Sequence, residues 1–95
     1  MKEITKEKLN KYVNLTEKAI KKVKIVKTGK VDFENAAKDF LDMAQRYYDD
    51  ANHFMKKGDY VNAFAAINYA HAWLDAGARI GLFDVGHDSE LFTVD

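Results

Sequence analysis

The sequence predicts an all-α fold, a three-helix bundle whose last two helices form a tight αα-hairpin, and three observations carry that prediction. Apolar residues recur at three-and-four spacing in three long segments. Proline is absent and only 5 of 95 residues are glycine, so helix breakers are scarce. One of those glycines, Gly58, directly precedes Asp59, where one helix can stop in a left-handed cap and the next begin on an aspartate cap with almost no linker.

The first helix is expected over about 4–27. Leu9, Tyr12, Val13, Thr16, Ala19, Ile20, Val23 and Val26 fall on one face, with lysines on the other, and Leu15 and Ile25 lie off the stripe. Gly29 is the expected stop. The second helix, about 33–57, starts on Asp32 and carries the clearest stripe: Phe33, Ala37, Phe40, Ala44, Tyr47, Ala51 and Phe54. Its outer face holds Asp42, Arg46 and Asp50, spaced four apart where charges can pair. The third helix, about 60–80, has two apolar stripes. One is Ala63, Ile67, Ala70, Leu74 and Gly77, the other Ala66, Tyr69, Trp73, Ala76 and Ile80, and only a narrow seam of Asn68, His71, Asp75 and Arg79 is polar. It should be the central, most buried helix, and its small residues allow close helix approach. After Gly81 the helical period is lost, and the remainder reads as an irregular tail with Leu82 and Phe83 docked.

A chain of 95 residues suits a single helical domain, 1–95. The absence of cysteine excludes disulfides, iron–sulfur clusters and thiolate zinc sites and suits a cytoplasmic location. The longest apolar run, 63–67, is far short of the roughly 20 residues that span a bilayer, and no signal-peptide core follows the N-terminal charges. No membrane partner is expected. Net charge is zero but unevenly placed: residues 1–30 hold ten Lys against three Glu, and residues 31–95 hold five basic against twelve acidic groups. The split suits either a basic helix packed on an acidic hairpin or a lysine face that meets nucleic acid, with Lys11, Lys18, Lys21 and Lys22 as the candidate contacts. The lack of arginine there and a lone aromatic, Tyr12, favour the intramolecular reading.

No phosphate loop, dinucleotide fingerprint, nucleophile elbow, EF-hand loop or metalloprotease helix is present. One polar group of side chains remains. Counting back from Gly58/Asp59 sets Asp49 level with Asn68, Arg46 with His71 and Asp42 with Asp75. Asp49, Asp50 and His53 stand three and four apart on helix two, and His71 and Asp75 four apart on helix three, which is ligand spacing for a metal held between helices. His53, however, falls nearer the turn than His71, so four ligands would not converge. Arg46 and His53 also loosely resemble the Arg/His pair of helical nucleases of the higher-eukaryote-and-prokaryote nucleotide-binding group, where His moves a proton and Arg steadies a phosphate; the spacing and following residues depart from that motif. Arg46, Asp49, His53, His71 and Asp75 are therefore the weak catalytic candidates, ordinary surface charge pairs being the leading alternative, and no cofactor or metal is expected. The aromatic set Tyr47, Tyr48, Tyr69 and Trp73 suits core packing or a dimer interface. Helix three has more apolar surface than two partners can cover, so Ala66, Tyr69, Trp73, Ala76 and Ile80 are the expected interaction face of a non-catalytic, homodimeric helical module.

The run Arg46-Tyr47-Tyr48-Asp49-Asp50-Ala51, then 57–66 beginning Lys57-Gly58-Asp59-Tyr60, and above all Tyr69-Ala70-His71-Ala72-Trp73-Leu74-Asp75-Ala76-Gly77-Ala78-Arg79-Ile80-Gly81, resembles the archaeal domain-of-unknown-function family numbered 357. The resemblance covers about the C-terminal half. It implies an archaeal, cytosolic protein with a short helical-bundle fold and implies no activity, since the family has none assigned.

Overall fold

In the computed structural model, which describes residues 3–92, three helices follow in order: α1 Lys6–Lys22, α2 Phe33–Lys56 and α3 Tyr60–Arg79. No strand occurs among the described residues, and α2 and α3 form the expected antiparallel hairpin.

The hairpin is set by local chemistry at its turn. Gly58 takes a φ of 75°, open to glycine without steric cost. Its N–H donates to the Met55 carbonyl and that of Asp59 to the Phe54 carbonyl, the paired bonds of a Schellman stop. Asp59 then caps α3: its carboxylate accepts from the Asn62 backbone N–H at 3.2 Å and from the Asn62 side-chain amide at 2.6 Å. The same Asp-x-x-Asn device opens α2, where Asp32 accepts from the Asn35 backbone N–H at 3.1 Å and from its amide at 2.8 Å. In neither case does the third helical residue reach back to the cap N–H as Glu or Gln would in a capping box. The C-terminus of α3 repeats the stop, with Gly81 at φ 82° and bonds from Gly81 N–H to Ala78 and from Leu82 N–H to Gly77.

Where the helices meet, the buried residues are Ala44 and Ala51 of α2 against Ala63, Ala66, Ala70 and Gly77 of α3. The seam draws on both predicted stripes of α3. Aromatics flank it, half-buried Phe40 edge-on to Trp73 at 4.9 Å between centroids and half-buried Tyr47 edge-on to the exposed Tyr69 at 4.3 Å. As expected, α3 is the most buried helix.

Two expectations for the first helix change. It ends at Lys22 rather than near residue 27, with Val23 already extended. Three β-branched residues in four, Val23, Ile25 and Val26, lose side-chain freedom in a helix and gain nothing here by burial, so the periodic pattern is not enough to hold them. Gly29, at φ 143°, consequently lies inside an extended connection and caps nothing. Nor is α1 laid along the hairpin: no α1 Cα lies within 8 Å of a Cα of α2 or α3, and no α1 residue is buried. Ile4, just before the helix, and Lys8, Leu9 and Tyr12 of its first turns face Val61, Asn62 and Ala65 across a cleft of about 380 Å³. The radius of gyration, 15.9 Å, accordingly exceeds the roughly 12 Å expected of a compact chain of this length.

The tail is irregular, as expected, with Leu82 and Phe83 half-buried. Phe83 lies on Gly77 so closely that a Cβ there would overlap its ring. Farther on, Asp88 accepts from the backbone N–H groups of Glu90 and Leu91, making a single turn that brings Leu91 and Phe92 back toward α3. Residues 1–2 and 93–95 of the predicted N-terminus and tail lie outside the described residues.

The Asp59 carboxyl is held below its ordinary value, chiefly by the Asn62 side-chain amide and then by the Asn62 backbone N–H. Because the folded value is the depressed one, its stabilisation is present above the unfolded carboxyl's pKa and is lost as pH falls through the folded value. Asp59→Asn, which keeps a good cap without a titrating group, is expected to flatten the acid limb of a thermal-stability profile below about pH 4, and an unchanged limb would remove Asp59 from it.

Candidate functional site

Of the five polar candidates, three lie exposed on α2. Arg46 donates from Nε to Asp42 Oδ2 at 2.8 Å, the i,i+4 pair read from the sequence, and Asp49 accepts from Gln45 Nε2 at 3.0 Å. His53 packs edge-on to its neighbour Phe54. The other two sit on α3, with His71 Nε2 3.6 Å from Asp75 Oδ1. These bonds run along a single helix. Among the described residues no three His, Asp or Glu side chains stand close enough to hold a metal ion.

His71 has a partner that sequence reasoning missed. Its Nε2 lies 2.6 Å from the Leu91 carbonyl oxygen, which can only accept, so Nε2 carries the proton and donates. The ring also stacks on Phe92 at 6.3 Å. His71 is thus the point at which the tail is fastened back to α3, with Asp75 on the same helix facing it. The only advance signal was the Asp88 turn former four residues before Phe92.

Apolar surface dominates the rest. Between α2 and α3, Leu41, Ala44, Tyr48, Ile67, Ala70 and Leu74 line a groove of about 420 Å³ that Gln45 and His71 border. Leu41 is 55% exposed, Tyr48 49% and Ile67 39%. On the opposite flank, Phe40, Tyr69, Ala72, Trp73 and Ala76 line a shallower groove of about 240 Å³. The expected interaction face divides here: Ala66 is buried in the seam and Trp73 is half-buried against Phe40, while Tyr69, Ala76 and Ile80 stay exposed. The indole N–H of Trp73 is buried without a hydrogen-bond partner among the described residues. The stripe of α1, Leu9, Tyr12, Val13, Thr16 and Ile20, forms an open apolar surface of its own. Lys21 and Glu17, paired at 2.9 Å, border that surface, and on the other side of the helix Lys11, Lys18 and Lys22 are exposed.

A family model described as Protein of unknown function (DUF357) matches residues 11–83. The chain belongs to that family. The DUF357 match reaches farther than the C-terminal half from which the resemblance was read, entering α1 at Lys11 and stopping at Phe83, the residue that closes over Gly77. No curated protein and no solved structure matches the chain. No helix among the described residues is long and apolar enough to cross a membrane.

The tail fastening is open to test. His71→Ala removes the bond to Leu91 and the stack on Phe92, and Gly77→Ala forces Phe83 off α3. Each is expected to speed proteolysis within 82–92 severalfold with the helical circular-dichroism signal intact, whereas unchanged cleavage would show that neither contact holds the tail.

Proposed function

We propose that the protein is a non-catalytic helical interaction module that self-associates through its apolar flanks. One observation carries this reading: among the described residues no large side chain is fully buried, the core consists of alanines, and large apolar residues on all three helices face solvent. Isolated apolar residues on a surface are ordinary, but contiguous apolar grooves on both flanks of a hairpin mark association surfaces. The polar candidates support no competing chemistry of comparable strength, since Arg46 and Asp49 are engaged along α2 and His71 holds the tail. Sedimentation equilibrium is expected to give twice the 10.9 kDa chain mass, and a strict monomer across a wide concentration range would refute self-association.

A second reading rests on the exposed Lys11, Lys18 and Lys22, which fall on one face of α1 opposite its apolar stripe. Phosphate contacts by that face would give nucleic-acid affinity that falls steeply with salt. Binding of RNA that persists unchanged when Lys18 and Lys22 are replaced by Glu would reject it.

A further inference from the structure

We propose that the apolar stripe of α1 seats in the α2/α3 groove of a second copy of the chain, each copy supplying its first helix to the other. The inference rests on the self-associating reading above and specifies which surfaces meet. The structure leaves two elongated apolar surfaces uncovered in one chain. On α1 the stripe from Leu9 to Ile20 is about 16 Å long at roughly 1.5 Å per helical residue, and its far end is bare, with Ile20 69% exposed. On the hairpin, the groove centred on Leu41, Tyr48 and Ile67 continues toward the turn at helical spacing through Met55 and Phe64, both exposed. From Leu41 to Met55 it runs about 21 Å by the same rise, long enough for the whole stripe.

Charge draws the segments that carry these surfaces toward each other. The basic excess lies within residues 1–30 and the acidic excess within 31–95. The acidic tail residues Asp88 and Glu90 belong to the segment that His71 fastens at the groove's edge. Lys21 borders the stripe, and Lys11, Lys18 and Lys22 behind it add a positive field that steers α1 toward the acidic segment, while the match of apolar surfaces seats the helix.

The occupant is the α1 of another copy because a chain's own α1 is turned elsewhere. Its first turns face Val61, Asn62 and Ala65, which lie nearly half a turn around α3 from the groove residues Ile67, His71 and Leu74. Among the described residues, no backbone hydrogen bond holds residues 24–31, so α1 is presented on an extended connection. Reciprocal exchange of one helix about a two-fold axis closes the assembly and covers both stripes and both grooves at once.

The chain has no cysteine, so single cysteines report contacts without background. Thr16→Cys chains mixed with Gln45→Cys chains and treated with a short bis-maleimide are expected to give a crosslinked heterodimer. Val13→Asp in the stripe is expected to raise the dimer dissociation constant roughly tenfold or more. If the chain is dimeric but only Tyr69→Cys crosslinks, on the opposite flank, the exchange is overturned and self-association stands. If a chain bearing both Thr16→Cys and Gln45→Cys links only within itself, the groove belongs to its own α1 and the exchange is likewise overturned. A strict monomer by sedimentation removes both readings.

Discussion

The closeness of the α2–α3 seam governs what the rest of the chain can do. Ala44 and Ala51 facing Ala63, Ala66, Ala70 and Gly77 let the two helices approach to small-residue distance, and the Schellman stop at Gly58 with the Asp59 cap leaves no slack in which to choose another register. Close approach has a geometric consequence. Side chains too large for the seam must stand on either side of it, so Phe40, Tyr47, Tyr69 and Trp73 form one flank and Leu41, Tyr48, Ile67 and Leu74 the other. The two apolar grooves are therefore by-products of the seam, and no substitution confined to one flank can remove both.

An alanine seam also buries little apolar area per residue, because each methyl contributes only a small fraction of what a leucine or phenylalanine would. The hairpin compensates locally, with matching Asp-x-x-Asn caps at the starts of α2 and α3 and matching glycine stops at their ends. It also recruits the tail: Phe83 fills the shelf that Gly77 leaves, and His71 holds Leu91. Gly77 is thus required by the returning chain, whose Phe83 ring occupies the space a Cβ would take. The buried indole N–H of Trp73, with no hydrogen-bond partner among the described residues, runs the other way, a desolvation that none of them offsets.

The hairpin was legible because its information is local. Gly58, Asp59 and the stripes of 33–57 and 60–80 each act over a few residues, and the structure keeps them to within a residue or so. The seam's composition was less legible, since both stripes of α3 are apolar and period alone does not say which faces α2; small size at Ala63, Ala66, Ala70 and Gly77 was the better guide. The end of α1 was misread because Val23 and Val26 keep the helical period while their β-branched side chains disfavour the helix, a conflict that burial would have settled the other way. Among site residues, the i,i+4 pairing of Arg46 with Asp42 followed from spacing. The His71 contact did not, because its acceptor is a backbone carbonyl 20 residues away, and carbonyls carry no sequence signal.

The same local/non-local division explains why α1 stands apart. Its helix is sustained by a Thr5 cap, whose hydroxyl accepts from the Lys8 N–H at 3.1 Å, by the Glu17–Lys21 pair and by its own periodicity, none of which refers to the hairpin. What would tie it to the hairpin is apolar burial and charge attraction, both of which depend on a docked geometry and act equally well on a neighbouring copy. An isolated helix of 17 residues is marginal in water, and its amphipathic face gains stability only when covered. The family match begins inside this helix, at Lys11, and so includes most of the stripe with the hairpin. In the proposed exchange the small-residue seam leaves the groove open and α1 supplies an apolar stripe of matching length to fill it.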